Sequence, residues 1–147
     1  MRIFTLVTIT LLFCMSCDLN TDKNADLTAQ DIETIKNEIN RYEEIAHNKD
    51  RESIRTMFTD DVILIRPNYF NLVGIENLLS IHYAEMPDYP EFWKSAKEIK
   101  GSGKIAYTYG YYGFTKGVKN GKYFEIRERQ PDGSWPILRL TWSEIKN

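Results

Sequence analysis

The sequence predicts an α+β fold: a cone-shaped, curved antiparallel sheet wrapped around a long N-terminal helix, with two shorter helices beside it. Three observations lead there. Apolar residues at helical spacing are confined to the stretch from Leu27 to Tyr83, and four alternating, turn-punctuated segments follow it. Between Gly121 and Trp142 (GKYFEIRERQPDGSWPILRLTW) polar and charged groups fall on both faces of a strand pair, among aromatics. A flat sheet with one dry and one wet face does not read that way; a sheet bent around a partly polar pocket does.

The chain has 147 residues, a length that suits one domain. It opens with Met1-Arg2 and an apolar run from Ile3 to Phe13, too short for a spanning helix and placed like a secretion signal. Ser16-Cys17 resembles the end of a bacterial lipobox, with a small residue before the Cys that would be lipidated. Cys14, three positions back, departs from that pattern, and ordinary secretion with both cysteines removed is the alternative. Lipidation at Cys17 would leave no thiol and hence no disulfide. About 130 residues would remain, enough to bury roughly two-thirds of the unfolded surface. The organisation expected is therefore a signal over 1–17, a flexible polar tether over 18–27, and a domain over 28–147. The corresponding location is the cell envelope, lipid-anchored, on the periplasmic or outer-membrane face of a Gram-negative bacterium. A net charge of −2 with mixed signs gives no reason to expect nucleic acid as a partner.

Thr28 caps the first helix, which runs to about Asn48. Asp31 faces the free amides, and Leu27 and Ile32 stand at the staple positions. Ile32, Ile35, Ile39, Tyr42 and Ile45-Ala46 form its buried stripe. Asp50 caps a short second helix, with Ile54, Met57 and Phe58 inward. Thr59-Asp60-Asp61 is expected to turn the chain into a strand, Val62 to Arg66, stopped by Pro67. Asn68 to Val73 reads as a loop and Ile75 to about Tyr83 as a third helix, broken by Met86-Pro87-Asp88-Tyr89-Pro90. Four meander strands follow at about Phe92–Lys100, Lys104–Lys116, Lys122–Gln130 and Trp135–Ile145. Pro131-Asp132-Gly133-Ser134 is the last tight turn. Strict alternation puts Tyr123, Glu125 and Arg127 on one face, with Phe124 and Ile126 opposite. It also separates Leu138, Leu140 and Trp142 from Ile137, Arg139 and Thr141. The parity of Tyr107, Tyr109 and Tyr111 against Thr108 and Tyr112 stays open.

The two histidines, His47 and His82, have no paired spacing, so no metal is expected and both read as helix-surface or interior residues. Nucleophile and phosphate-loop motifs are missing. Asp60-Asp61 reads as a turn pair. The remaining candidates belong to the sheet and the helix beneath it: Tyr42, Phe58, Arg66, Tyr123, Glu125, Arg127, Leu138, Leu140 and Trp142. Glu125 beside aromatics would titrate high unless an arginine pairs with it.

In their order and spacing, Arg41-Tyr42, Asp50, Met57-Phe58, Thr59-Asp60-Asp61-Val62 and Pro67 resemble the opening of a ketosteroid isomerase, of the nuclear transport factor 2-like superfamily. Asp132-Gly133 and Trp142-Ser143-Glu144-Ile145 resemble its closing strands. The stretch RERQPDGSW is similar to bacterial SnoaL-like domains. The resemblance spans about Thr28 to Ile145. It implies an oxyanion-binding tyrosine at Tyr42, a hydrogen-bond-donating acid at Glu125 and a pocket tryptophan at Trp142. The family's general base falls on Arg66, which cannot accept a proton near neutral pH.

The expectation is thus a cofactor-free domain that binds a small, partly apolar ligand. Arg66, Arg127 and Tyr42 would hold its polar end, and Leu138, Leu140 and Trp142 its body. Two alternatives stand beside it. One is an isomerase, lyase or hydrolase using Glu125 and Tyr42. The other is a homodimeric interaction module joined through Phe124, Ile126, Ile137 and Arg139.

Overall fold

The computed structural model describes residues 25–48, 50–85 and 90–146. The signal, Cys14, Cys17, most of the tether and the break at Met86 to Tyr89 lie outside the described residues. Helix α1 is Ala29–Asn48 and α2 is Arg51–Thr56. Strands β1 (Phe58–Ile65) and β2 (Leu72–Val73) follow. Helix α3 runs from Ile75–Asn77 through a π-helical turn, Leu78–His82, to Tyr83–Glu85. The meander is β3 (Trp93–Ser102), β4 (Ile105–Gly113), β5 (Gly121–Glu128) and β6 (Ile137–Glu144).

The α1 start is a reciprocal cap. The Asp31 amide donates to Thr28 Oγ1 at 3.1 Å, and the Thr28 amide donates to Asp31 Oδ2 at 3.1 Å. Asp31 also accepts from Trp135 Nε1 at 3.3 Å, which ties the helix N-terminus to the β5–β6 turn. In α2 the Asp50 side chain accepts from the Ser53 amide, as an N-cap does.

The six strands form one curved, unclosed sheet in the order β2-β1-β6-β5-β4-β3. Two expectations need correcting. The sheet is not wholly antiparallel, since β1 lies parallel to β6. Thr59, Asp60 and Asp61 belong to β1, with a register shift between Phe58 and Ile63 that absorbs the irregularity.

The inner face carries Tyr123, Glu125 and Arg127 from β5, all buried, while Phe124 is 41% exposed. On β4, Ala106, Thr108, Gly110 and Tyr112 point inward, and Tyr107, Tyr109 and Tyr111 are half-exposed, which settles their parity. On β6 strict alternation fails. Arg127 faces Ile137 but Ile126 faces Arg139, so Leu138 is the extra residue of a bulge. Ile137 is therefore fully buried rather than on the outer seam, and Leu138 is only half-buried. Leu140 and Trp142 keep the inner face beyond the bulge.

Two apolar clusters fill the space between sheet and helices. One gathers Tyr42, Phe58, Leu64, Leu78, Tyr83, Ile137 and Leu140 with their neighbours; the other is Ile35, Ile39, Ala106 and Trp135. Gly110 matters to this packing. A Cβ there would meet Ser95 O at 1.9 Å and Tyr123 Cε1 at 2.9 Å, so glycine is what lets the Tyr123 ring lie across β4.

Candidate functional site

The inner face of the sheet is held by a charged network rather than by a void. Glu125, fully buried, accepts from four donors. Lys94 Nζ holds one oxygen in a short contact. Thr108 Oγ1 (2.9 Å), Arg127 Nη2 (2.9 Å) and Arg127 Nε (3.2 Å) hold the other. Arg127 continues outward through Nη1, which donates to Glu38 Oε2 and to the Trp135 carbonyl, each at 2.8 Å. Glu38 Oε1 closes the ring by accepting the Trp135 amide at 2.9 Å. Every nitrogen of the guanidinium is thus used, and α1, β5 and the β5–β6 connection are locked together.

Burial raises the Glu125 carboxyl, but Lys94, Arg127 and their hydrogen bonds outweigh it and hold the group below the usual carboxylate range. The resemblance implied a neutral, hydrogen-bond-donating acid at Glu125. The geometry instead holds it ionised, as an acceptor for cations. Lys94 is pulled down to about 8, chiefly by burial, with Glu125 opposing that shift. Its ammonium lies 4.6 Å from the Tyr42 ring centroid and 4.1 Å from that of Tyr123. The Tyr123 hydroxyl is buried with no hydrogen-bond partner among the described residues. Nearby Thr108 has its own proton committed to Glu125.

Tyr42 and Tyr83 share a short hydroxyl–hydroxyl hydrogen bond. Burial pushes Tyr42 up to about 12 and Tyr83 well above its ordinary value. Around them rings touch in series: Phe114, Phe92, Tyr42, Phe58, Tyr83, His82 and Trp142, with centroids 5.2–6.3 Å apart. Phe92, His82 and Trp142 are half-buried. His82 sits on the π-helical turn, where such turns often accompany function, and its ring has no hydrogen-bond partner among the described residues. Burial first, then the charge of Arg66, lowers it to about 4, so it is neutral at physiological pH.

Of the expected site residues, Tyr42, Phe58, Tyr123, Glu125, Arg127 and Leu140 are brought together in the interior, and Trp142 lies at its edge. Arg66 does not converge on Tyr42 and Glu125. It follows β1, donates from Nε to Phe70 O at 3.1 Å, and lies 5.2 Å over the Tyr69 ring. It is a rim residue whose charge reaches His82, not an interior ligand. Lys94, Glu38 and Tyr83 are bonded to these groups, and sequence reasoning does not single them out. Glu38 shares a helical face with Ile35 and Tyr42, so spacing alone could have found it. Among the described residues no group of three or more His, Cys, Asp or Glu is placed to hold a metal ion.

No protein-family model matches the chain, and no curated protein matches it. Solved structures do. A cystatin-like fold protein from Burkholderia xenovorans LB400 superposes with TM-score 0.68 at 13% identity, over 84% of this chain and 98% of that one. The fold is nuclear transport factor 2-like. A protein of that description and of unknown function from Shewanella oneidensis MR-1 gives TM-score 0.64 at 21% identity, over 77% and 98%. A ketosteroid isomerase-like protein from Erwinia carotovora atroseptica SCRI1043 gives 0.63 at 19%, over 82% and 100%. At these identities the nuclear transport factor 2-like neighbours speak for the fold, and the residues above must speak for chemistry.

Proposed function

We propose that this nuclear transport factor 2-like domain is an envelope-tethered binding domain for a small, partly apolar molecule, anchored through a lipid on Cys17. The observation that carries the reading is the half-buried aromatic rim. Phe92 touches Tyr42, and His82 touches both Tyr83 and Trp142. These rings offer an apolar wall, while the Arg66 guanidinium and the His82 imidazole stand ready for a polar end. A small aromatic or alicyclic carboxylate matches that combination. Arg127 and Tyr42, which the sequence placed at the ligand's polar end, and Glu125, its candidate acid, are committed to internal partners and act by holding the wall in place. Catalysis through Glu125 and Tyr42 would have to break those bonds first. The test is native mass spectrometry and tryptophan fluorescence with a panel of small hydrophobic carboxylic acids. Binding that Trp142→Ala or Arg66→Gln weakens, and that Trp93→Phe leaves alone, supports the reading. No bound species across the panel counts against it.

A second reading, compatible with the first, is that the domain is a homodimer joined through the outer face of its sheet. Ile105 and Phe124 are 44% and 41% exposed there, and Tyr107 stacks on Phe124 at 5.7 Å. With Ile126 they line an apolar dent of about 450 Å³. Light scattering should give a dimer mass that Phe124→Asp reduces to a monomer. A monomer in the unmutated protein would rule this reading out.

A further inference from the structure

We propose that the cleft between α1 and the free edge of β3 is a peptide-binding site, taking an extended acidic segment of a partner protein as an added antiparallel strand. The proposal is independent of the rim reading. β3 is the last strand of the sheet and pairs only with β4. Both ends of its other edge are already occupied by this chain. At the start, the Lys94 amide donates to Glu43 Oε1 at 2.7 Å. At the far end, Asp26 forms an antiparallel bridge with Ser102, and the Gly103 amide donates to Ala25 O at 2.8 Å. That bridge is a first rung of antiparallel addition, cut short because α1 begins at Ala29. Between the two ends the edge from Ser95 to Gly101 carries no strand among the described residues. At ~3.3 Å per residue it offers roughly 20 Å of open backbone.

The facing wall is α1, through Ile32, Lys36, Ile39 and Asn40, and the cleft so enclosed measures about 360 Å³. Its apolar strip, Ile32, Ile39, Ala96 and Ile99, can take alternate side chains of an added strand. Its charge is positive. Lys97 is exposed with no ion-pair partner among the described residues, and the Lys36 ammonium is 4.0 Å from exposed Glu33. The one acidic residue of the wall, Glu98, is taken up by Lys100 at 2.9 Å and by the Tyr107 hydroxyl at 2.7 Å. Lysines and a bulge are how sheet edges avoid indiscriminate pairing, and β3 has both, with its register shift between Ala96 and Glu98. A second β3 laid antiparallel about Lys97 would set that exposed lysine against its own copy, which like-charge pairing disfavours. An acidic strand meets Lys97 and Lys36 favourably.

The test uses the full chain in detergent micelles and two labelled peptides, one alternating Glu with Val and Thr, the other identical but with Lys for Glu. Fluorescence anisotropy should show binding of the acidic peptide only. The surface double variant Lys36→Glu/Lys97→Glu should weaken it about tenfold or more. Hydrogen exchange should show new protection at Ser95–Gly101 when the acidic peptide is present. Equal binding of both peptides, no binding of either, or protection elsewhere overturns the proposal. So does protection of Ser95–Gly101 that rises with protein concentration alone, because the occupant would then be a second copy. The comparison of the two peptides needs no variant, so it decides the matter even if the double variant fails to fold.

Discussion

Lys94 and Glu125 form a buried ion pair between an edge strand and a central strand, with 4% and 0% of their side-chain surfaces exposed. Neither charge reaches water, so Lys94 depends on Glu125, and Glu125 on Lys94 and Arg127 together. Removing one partner of such a pair costs about 3–5 kcal/mol, because the other stays buried and uncompensated. Glu125→Leu should lower stability by that order in urea denaturation. Lys94→Met should cost less, because Arg127 still neutralises Glu125. In the double variant Lys94→Met/Glu125→Leu, part of the loss should return. If the losses simply add, the two side chains do not meet inside the fold.

The Tyr42–Tyr83 hydroxyl pair makes a second test of the interior. In Tyr42→Phe the Tyr83 hydroxyl loses its hydrogen-bond partner. A buried hydroxyl left unsatisfied costs about 1–3 kcal/mol. Removing both hydroxyls leaves no orphan, so Tyr42→Phe/Tyr83→Phe should be more stable than either single variant. A thermal melt of the three proteins checks the order.

His82 gives the acid side of the stability profile. Its folded value is about 4, depressed by burial from an ordinary 6.5. Between those values the unfolded chain holds a proton that the folded chain does not. Stability therefore falls as pH drops from 6.5 towards 4. Glu125 acts lower, since its folded carboxyl is held below 4.5 and its contribution disappears only as pH falls through that depressed value. Urea midpoints between pH 6.5 and 4 should decline in the native protein and flatten in His82→Gln. The same slope in both proteins would place His82 in water.

What is legible in the sequence, and what is hidden there, follows from how each signal arises. The isoleucine stripe of α1 and the glycine turns of the meander are local patterns, and they lead to the right elements. The inward set Tyr123, Glu125 and Arg127 needs only alternation within one unbroken strand. Ile137 is misplaced by strict alternation because the β6 bulge at Leu138 inverts the pattern before it. Lys94 is hidden for the same reason on β3. It shares the parity of Ala96 but not of Ile99, and the bulge between them conceals that all three face inward. Arg66 stands where the sequence resemblance implies a general base, whereas its side chain is taken by the backbone of its own loop at Phe70.

Gly110 carries the last prediction. It faces Ala96 on one side and Tyr123 on the other, at the point where the Tyr123 ring crosses β4 towards Lys94. A methyl group at this position would collide with the β3 backbone, which cannot give way as a flexible side chain can. Overpacking of this kind costs about 1–3 kcal/mol, and here it also pushes aside the ring that lies against the ammonium. Gly110→Ala should therefore be destabilised by at least that order. In a Tyr123→Ala background, adding Gly110→Ala should cost less than in the native protein by the part due to the ring, yet still destabilise, because the clash with Ser95 remains. No added cost in that background would mean that the ring alone, and not the approach of β3, demands glycine at this position.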